Sequence, residues 1–326
     1  MKYLMKKRSV GSENQNNIAK EKKPAVKGNI VFKVSLISLL SILLGFGVYI
    51  GNGLWNKYLN HGEEIIPVSS DVTTEQEDFP KETYAQRDET TGIMSYGSPT
   101  MKITIEPVIR DNLRMWISTT KIKDPKQLES AFAKDEFNLN NREKTSDIAK
   151  RHGAVFAVDG AAAGFNKDSF VIRDGILYRA TNMDFAPLII KDNGDFVIFN
   201  RAEKTGEEIL QMGGRHTFDF GPDLIKNGEI VDWGDSWYTE AKDPRTAIGQ
   251  KGPLEYVVIV ADGRSKESEG LSFKELALEF QRLGCKWAYS LDGGGSTTLY
   301  FNGQVINEPS DWNGERAVTD ILYFRN

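Results

Sequence analysis

The chain has 326 residues, of which 40% are hydrophobic and 27% are charged, a composition typical of a globular protein with one large domain or two small ones. The formal net charge of −5 provides no overall basic surface for nucleic acid, so a phosphate-binding site would have to be local. The single cysteine, Cys285, excludes an intramolecular disulfide framework and a multi-cysteine metal site.

The N-terminal residues carry the pattern of a membrane anchor. Residues 1–28 contain eight Lys or Arg and two Glu, which predicts a basic cytoplasmic tail. Residues 34–50 contain no charge, and with their apolar neighbours they approach the ~20 residues that a helix needs to cross a bilayer. Because the basic residues precede this run, we expect a single-pass transmembrane helix over 29–55 and an extracellular C-terminal domain at the cell membrane. A cleaved signal peptide is the alternative.

The next segment differs from the rest of the chain in composition. Residues 56–95 contain nine acidic residues and few large apolar ones, so they cannot bury a core. We therefore predict an acidic stalk over 56–95 and a single globular domain over 96–326.

Strand patterns outnumber helix patterns in this domain. β-branched or aromatic runs bounded by Gly, Asn or Asp occur at 102–109, 153–158, 169–180, 187–200, 223–231, 254–263 and 318–324. Several are joined by Asp-Gly or Asn-Gly turns, which favour hairpins. Helices are predicted from Thr145 or Ser146 to Gly153, over 273–283, and over 125–137. We expect an α+β fold with a mixed, largely antiparallel sheet and packed helices.

Two of the predicted strands end in an aspartate. The strand at 254–260 leads to Asp262, the strand at 286–291 leads to Asp292, and the helix at 273–283 lies between them. A strand–helix–strand unit with a parallel crossover brings both strand ends to one side of a sheet. We therefore expect Asp262 and Asp292 to face one crevice, although both residues could instead only cap turns.

The order of the motifs resembles that of the phosphodiester glycosidase family. The resemblance is densest in PRTAIG (244–249), VADGR (260–264), EGLSFKELA (269–277), SLDGGGSTTLYFNG (290–303) and INEPSDWNGERAVTDILYF (306–324). It extends through 153–165, 171–180 and 220–231. One position departs from the family pattern, because Asp159 stands where members usually have Asn. A carboxylate cannot donate a hydrogen bond as an amide does, so we expect a different substrate or a differently tuned site.

The resemblance implies hydrolysis of a sugar-1-phosphodiester to free sugar and a phosphomonoester. The leaving phosphate is a stable anion, so neutralising its charge matters more than protonating it. An oxocarbenium-like transition state calls for a carboxylate as nucleophile or base. Asp292 is the first candidate and Asp262 the second, with their roles left open.

The predicted substrate-binding residues are cations, backbone donors and their polar neighbours. Arginine binds phosphate oxygens through its planar fork, and consecutive main-chain N–H groups can form an anion-binding nest. The set consists of Arg245, Arg264, Arg316, Gly293, Gly294, Gly295, Ser296, Thr297 and Asp159. Arg316 could instead only pair with Asp311 or Glu315, and Glu275 fits a capping box better than a catalytic role.

No cofactor is predicted, because two aspartates are too few ligands to assert a metal. The expected topology would expose the domain to teichoic-acid-like cell-wall polymers, exopolysaccharide or lipid-linked sugars, so we expect a cell-surface glycopolymer substrate. The main alternative is a non-catalytic module that binds a phosphate-bearing surface polysaccharide. A serine hydrolase acting through Ser296 is a further alternative. The sequence makes no prediction of oligomeric state.

Overall fold

The computed structural model describes residues 79–164, 169–180, 186–200, 203–234 and 237–326. The predicted basic tail, the predicted transmembrane helix and residues 56–78 of the predicted stalk lie outside the described residues, as does Phe165. Within the described ranges, no helix has the length and apolar character needed to cross a membrane.

The described residues form twenty-one strands and four α-helices. The strands are β1 (Tyr84–Arg87), β2 (Met94–Gly97), β3 (Met101–Arg110), β4 (Leu113–Ile122), β5 (Leu128–Phe132), β6 (Glu143–Lys144), β7 (Phe156–Asp159), β8 (Val171–Arg173), β9 (Ile176–Arg179), β10 (Leu188–Lys191), β11 (Phe196–Ile198), β12 (Gly214–Phe218), β13 (Asp223–Lys226), β14 (Glu229–Ile230), β15 (Arg245–Gly252), β16 (Glu255–Ala261), β17 (Trp287–Gly293), β18 (Leu299–Phe301), β19 (Gln304–Val305), β20 (Ala317–Val318) and β21 (Asp320–Phe324). The helices are α1 (Thr145–Arg151), α2 (Gly206–Gln211), α3 (Trp237–Glu240) and α4 (Phe273–Arg282).

Two sheets dominate the fold. The larger has nine strands in the order β1-β2-β3-β4-β16-β15-β17-β13-β14, and the second has five in the order β19-β18-β7-β21-β5. Smaller sheets are β11-β10-β12, β20-β6 and β8-β9. Every strand pairing in the described ranges is antiparallel. The α+β fold with largely antiparallel sheets is confirmed, whereas no parallel pair supports the "mixed" part of the prediction.

The main core lies between the two large sheets. Val258, Val260 and Leu291 of the nine-stranded sheet belong to the same buried apolar cluster as Val158 and Leu322 of the five-stranded sheet. Because side chains alternate across a strand, each sheet has a second face that needs its own cover.

Helices cover the outer faces. Phe273 and Phe280 of α4 pack in one cluster with Ala247 and Ile259, which lie on the nine-stranded sheet. Ile148 and Ala149 of α1 similarly pack with Ala157 and Ile321 of the five-stranded sheet. The domain is therefore layered as helix, sheet, sheet and helix.

The unit formed by β16, α4 and β17 confirms the predicted strand–helix–strand arrangement. Both strands are antiparallel to β15, which lies between them, so they run in the same direction and end on the same side. Helix α4 begins with a capping box. The Ser272 hydroxyl accepts from the Glu275 N–H at 3.2 Å, and the Glu275 carboxylate accepts from the Ser272 N–H at 2.8 Å. Glu275 thus caps the helix, as its spacing indicates.

The predicted third helix over 125–137 is wrong. These residues form a 3-10 turn at Pro125–Gln127, then β5, then a second 3-10 turn at Ala133–Asp135. All five residues of β5 are buried, and the strand pairs along its whole length with β21. Tertiary pairing at the edge of the five-stranded sheet therefore overrides the local helical pattern.

The folded domain begins earlier than the predicted boundary at residue 96. Strands β1 and β2 form a hairpin at the edge of the nine-stranded sheet, and β1 and the first two residues of β2 lie in the segment predicted as stalk. Met94 and Tyr96 of β2 are buried in the main core, whereas all four residues of β1 are exposed. The acidic composition of 56–95 as a whole obscured Met94, the buried residue of this hairpin that lies inside the predicted stalk.

Candidate active site

A β-bulge in β17 determines where Asp292 lies. Between Arg245 and Ala247, β15 has one residue, Thr246, whereas β17 has two, Leu291 and Asp292, between the partners of those residues. An extra residue of this kind redirects the side chains of the bulged strand. The bulge lets Leu291 enter the main core and Asp292 approach the carboxylates of the five-stranded sheet.

Asp292 has the surroundings of a reactive carboxylate. It is partly exposed, its main-chain N–H donates to the Gly160 carbonyl at 2.8 Å, and its Oδ1 accepts from the Gly293 N–H at 2.7 Å. Burial is the main cause that raises its pKa, while hydrogen bonds from the Gly293 N–H and the Ser296 hydroxyl act in the opposite direction. A raised carboxyl pKa in a partly accessible position is typical of an acid, base or nucleophile.

Asp159 lies behind Asp292 and does not reach the surface. Its side chain is fully buried, and its Oδ1 accepts from the Thr246 hydroxyl at 2.8 Å and from the Thr298 N–H at 3.0 Å. Its Oδ2 has no hydrogen-bond partner in the described part of the chain. Burial first, and the charge of Asp292 second, hold the pKa of Asp159 well above its usual range. The structure therefore corrects the predicted direct substrate contact, because Asp159 holds its neighbours in place from within the core.

A buried ion pair beside these residues was missed by the sequence analysis. Arg173 Nη2 lies 2.7 Å from Asp320 Oδ2, and both side chains are almost completely buried. Asp320 also accepts from the N–H groups of Ala161 and Ala163, at 3.2 and 3.0 Å. A Cβ on Gly160 would clash with the Asp320 carboxylate, so this glycine permits the close approach. The available signal was an arginine in an apolar strand, since a buried cation needs a partner.

The glycines after Asp292 make room for arginine side chains. A Cβ on Gly294 would lie 2.8 Å from Arg264 Nη2, and one on Gly295 would clash with the guanidinium of Arg316. The N–H groups of Gly293 and Gly294 donate to Asp292 Oδ1 and to the Pro244 carbonyl. Two of the four donors of the predicted nest are therefore already bonded within the protein. The glycines instead bring two guanidinium groups close to the main chain that follows Asp292.

Arg264 and Arg316 remain accessible although each binds an aspartate. Arg264 forms a bidentate pair with Asp243, at 2.7 and 2.9 Å, and its side chain is 49% exposed. Arg316 Nε lies 2.6 Å from Asp311 Oδ2, and its side chain is 46% exposed. The surface pairing of Arg316 was foreseen as an alternative. Because a guanidinium has five N–H donors, each arginine keeps donors for a second anion.

Arg245 faces the other side of the sheet. Its Nε and Nη2 donate to the carbonyls of Leu271 and Ala241 at 3.0 and 2.8 Å, and its guanidinium carbon lies 3.8 Å from the centre of the Phe273 ring. The next residue, Thr246, points to Asp159 on the opposite face. Successive side chains of a strand alternate between faces, so the predicted contact of Arg245 with substrate is wrong.

Asp262 fixes a loop. Its Oδ1 accepts from Asn307 Nδ2 and from the Glu308 N–H, both at 3.1 Å, and only 4% of the residue is exposed. Burial is the main cause that raises its pKa to about 6. Since β15 separates β16 from β17, the two strand ends are ~10 Å apart. Asp262 lies on the expected side of the sheet, but its contacts are those of an anchor, the alternative recognised from its Asp-Gly turn.

Ser296 and Thr297 are buried beside the site. The Ser296 hydroxyl bonds to Asp292, and Asn307 Nδ2 donates to the Thr297 carbonyl at 3.0 Å. Both side chains are less than 4% exposed. The hydroxyl residues therefore support Asp292 and connect it to the loop that Asp262 holds, rather than lining an open surface.

Comparisons with known proteins decide the family. The model of the Phosphodiester glycosidase family matches residues 149–325 and so includes Asp159, Arg173, Asp292 and Asp320. This chain belongs to the phosphodiester glycosidase family.

Two curated relatives are longer proteins, and each matches this chain over part of its length. The SPbeta prophage-derived uncharacterized protein YomE of Bacillus subtilis strain 168 is 33% identical in an alignment of 199 residues that covers 57% of this chain and 30% of YomE. The N-acetylglucosamine-1-phosphodiester alpha-N-acetylglucosaminidase of Mus musculus is 31% identical over 93 residues, which are 27% of this chain and 18% of the mouse protein. The chain thus spans less than a third of the length of either relative.

A solved structure shows the same fold. The catalytic domain of the zebrafish N-acetylglucosamine-1-phosphodiester alpha-N-acetylglucosaminidase, auto-inhibited by its pro-peptide, superposes with a TM-score of 0.57 at 22% identity. The superposition covers 75% of this chain and 88% of the zebrafish chain.

One group of side chains in this phosphodiester glycosidase domain has the composition of a metal site. Among the described residues, Glu129, Asp174 and His216 bring ligand atoms within 4.8 Å of one another. Arg215 Nη2, however, lies 2.7 Å from Glu129 Oε2 and 3.2 Å from Asp174 Oδ1. A guanidinium thus already occupies the side of this group where both carboxylates meet. We assign no metal to this group, which includes none of the predicted site residues.

Proposed function

We propose that this chain is a hydrolase that cleaves a sugar-1-phosphodiester to free sugar and a phosphomonoester. The observation that carries the proposal is a partly exposed carboxylate, Asp292, followed by glycines against which two accessible guanidinium groups pack. The glycosidase relatives are named for an N-acetylglucosamine-1-phosphodiester bond, which joins a sugar to a phosphate.

Arg264 and Arg316 are suited to bind the phosphate. Each guanidinium is about half exposed and is held by one aspartate, so its direction is fixed before substrate arrives. Charge-assisted bonds from such a fork stabilise the phosphate as it leaves, and a phosphomonoester needs little protonation to depart.

Asp292 is suited to act at the sugar carbon. In its ionised form it can attack the sugar as a nucleophile or accept a proton from attacking water, and both routes fit an oxocarbenium-like transition state. Because its pKa is raised, the active form is lost as the pH falls through that pKa. Arg316 favours the ionised form, whereas the charge of Asp320 opposes it.

The proposed substrate is a glycopolymer outside the cell. The uncharged run at 34–50, preceded by basic residues, supports membrane anchoring with the C-terminal domain on the outer side. Protease treatment of intact cells tests this topology. Degradation of the domain is expected, and full protection in intact cells together with cleavage after lysis would contradict it.

The decisive experiment measures reducing sugar released from N-acetylglucosamine-1-phosphodiesters by the full chain and by Asp292→Asn. We expect turnover by the wild-type chain and its loss in the variant. The control is Asp111→Asn, because Asp111 is exposed in the turn between β3 and β4, outside the site. Binding of the phosphodiester without turnover in the wild-type chain would favour the non-catalytic binding module.

A further inference from the structure

Asp159 is a fully buried carboxyl group with only one of its oxygens bonded. Oδ1 receives hydrogen bonds from Thr246 and Thr298, whereas Oδ2 has no partner among the described residues. A buried carboxylate needs hydrogen bonds or a cation to remain ionised, because burial otherwise favours the neutral acid. The geometry alone therefore makes the charged form of Asp159 unfavourable.

The charged groups around Asp159 strengthen this argument. From β17, Asp292 adds a negative charge that opposes ionisation of Asp159. From β21, Asp320 is also acidic, and the Arg173 guanidinium on β8 is directed to Asp320. Arg316, which packs against Gly295, binds Asp311 and acts on Asp292. Arg264, which packs against Gly294, binds Asp243. No described cation forms an ion pair with Asp159.

We propose that Asp159 is a neutral carboxylic acid in the working enzyme, and that it thereby leaves Asp292 as the single ionised member of the pair. Protonated on Oδ2, the side chain has an acceptor on one arm and a donor on the other, which matches the hydrogen-bonding pattern of an asparagine. This accounts for an aspartate at a position where an amide is expected. Asp159 is then a positioning residue that acts through Asp292, so the inference rests on the proposed function.

The proposal predicts how activity depends on pH. On the acid side, activity falls as Asp292 takes up a proton. On the alkaline side, activity falls as Asp159 loses its proton, because a second buried negative charge then lies beside Asp292. The acid limb of the pH–activity profile therefore reports protonation of Asp292, and the alkaline limb reports ionisation of Asp159.

The test compares Asp159→Asn and Asp159→Ala in the full chain. We expect Asp159→Asn to keep activity within about threefold of wild type at neutral pH, to leave the acid limb unchanged, and to lose the alkaline limb. Asp159→Ala leaves Thr246 and Thr298 without their acceptor, and we expect a loss of ~100-fold through displacement of the site. An acid limb that moves to lower pH in Asp159→Asn would show that Asp159 is ionised in the wild type, which overturns the proposal. Equal losses in both variants would overturn it as well.

A readout independent of turnover separates this proposal from the proposed function. At neutral pH, the infrared spectrum of the wild-type chain should contain a carbonyl band of a protonated carboxyl group that Asp159→Asn removes and Asp111→Asn retains. If the band is lost as expected but no sugar is released by the wild type, the proposed function fails and the protonation of Asp159 stands. A spectrum unchanged by Asp159→Asn would refute the protonation.

A second observation concerns Trp312, whose side chain is displayed to solvent beside the same site. The residue is 89% exposed, and its main-chain N–H donates to Asp311 Oδ1 at 2.8 Å. The Gly314 N–H closes the turn by donating to the Asp311 carbonyl, also at 2.8 Å. The other oxygen of Asp311 binds Arg316, which packs against Gly295. The turn that carries the indole is thus fixed to one of the proposed phosphate ligands.

The geometry points to Trp312 as a platform on which a sugar ring of an extended substrate stacks. An exposed indole presents a large, flat apolar face, which suits the C–H face of a pyranose ring. A fixed turn also limits the ordering that binding requires. This inference rests on the proposed function, since it identifies the substrate as a glycan longer than one sugar.

The test compares Trp312→Ala with Leu278→Ala as the control. Leu278 lies on α4 and is 55% exposed. On a polymeric sugar-phosphodiester, Trp312→Ala should raise KM by about tenfold with kcat retained, and on a single-sugar phosphodiester it should change neither. Leu278→Ala should match wild type on both. Equal effects of Trp312→Ala on the two substrates, or none, would refute the platform. Quenching of indole fluorescence by the polymer tests the contact even where no turnover occurs.

Discussion

The ends of β16 and β17 carry aspartates that look equivalent in the sequence and differ in the structure. Asp262 follows a regular strand, and two groups of the loop after β19 bind its Oδ1. Asp292 lies in a bulge, is partly exposed, and receives a main-chain bond only from the adjacent Gly293 among the described contacts. The comparison shows that the carboxylate in the bulged strand stays partly accessible, whereas the one bound by a distant loop is buried.

The largest expected difference between Asp262 at the end of β16 and Asp292 at the end of β17 is in the activity of their variants. Asp292→Asn should lower kcat/KM for a sugar-1-phosphodiester by about 10³-fold, because the transition state loses its carboxylate. Asp262→Asn should lower it by less than about tenfold, because an amide oxygen still accepts from Asn307 and Glu308. Steady-state kinetics of both variants is the test. Similar losses of kcat/KM would contradict the distinction between Asp262 and Asp292.

The next effect distinguishes Arg316, which packs beside Asp292, from Arg245, which faces the opposite side of the nine-stranded sheet. Arg316→Ala should reduce kcat/KM by ~100-fold, because a donor to the leaving phosphate is removed. Arg245→Ala should retain activity and destabilise the domain by about 1–2 kcal/mol, because its contacts are with Phe273 and two carbonyls. Kinetics and thermal denaturation of the two variants check this. Strong inactivation by Arg245→Ala without loss of stability would contradict the assignment of its face.

A smaller effect is expected from the glycine that accommodates Arg316. Gly295→Ala should reduce activity by about tenfold, since the new methyl group displaces the guanidinium. Gly252→Ala is the matched control, because a Cβ there meets no atom within 4 Å. Activity is again the readout, and wild-type behaviour of Gly295→Ala would mean that the position of Arg316 is not critical.

The smallest effect is on the stability of the folded domain, and it comes from Asp262 at the end of β16. Burial raises the pKa of Asp262 from 3.8 to about 6, so the folded state binds this proton more tightly than the unfolded state does. The contribution of Asp262 to stability therefore decreases as the pH rises from about 4 to about 6, by at most about 3 kcal/mol, and is constant above. Asp262→Asn lacks this dependence, so its stability relative to wild type should rise over the same window. Denaturant titrations at several pH values measure how the free energy of unfolding depends on pH. Parallel curves of this free energy against pH for the wild type and Asp262→Asn would contradict the prediction.

Much of the framework around the site could be predicted from local sequence. The apolar strand before Asp262, the capped amphipathic helix α4 and the strand before Asp292 have clear periodicity, and the crossover rule placed both strand ends on one side. Family motifs also pointed to the glycines and to Arg316. These features depend on neighbouring residues, which a sequence displays directly.

The remaining features depend on contacts between distant residues. The face of Arg245 and the position of Asp292 follow from the register of β15 against β17, and a bulge leaves no local pattern in the sequence. The pair of Arg173 and Asp320 joins residues 147 positions apart. The sequence also did not show that side chains from other loops, those of Arg264 and Arg316, fill the space left by Gly294 and Gly295.

The bulge also makes the chemistry separable from the fold. Deleting Gly293 would pair Asp292 with Arg245 in a regular ladder and place the carboxylate on the α4 face of the sheet, while the layers and the exposed arginines would persist. If Asp292 carries out the proposed hydrolysis, such a variant would keep the accessible Arg264 and Arg316 and lose that activity. A single main-chain irregularity thus determines whether this carboxylate lies on the side of the sheet that faces Asp159.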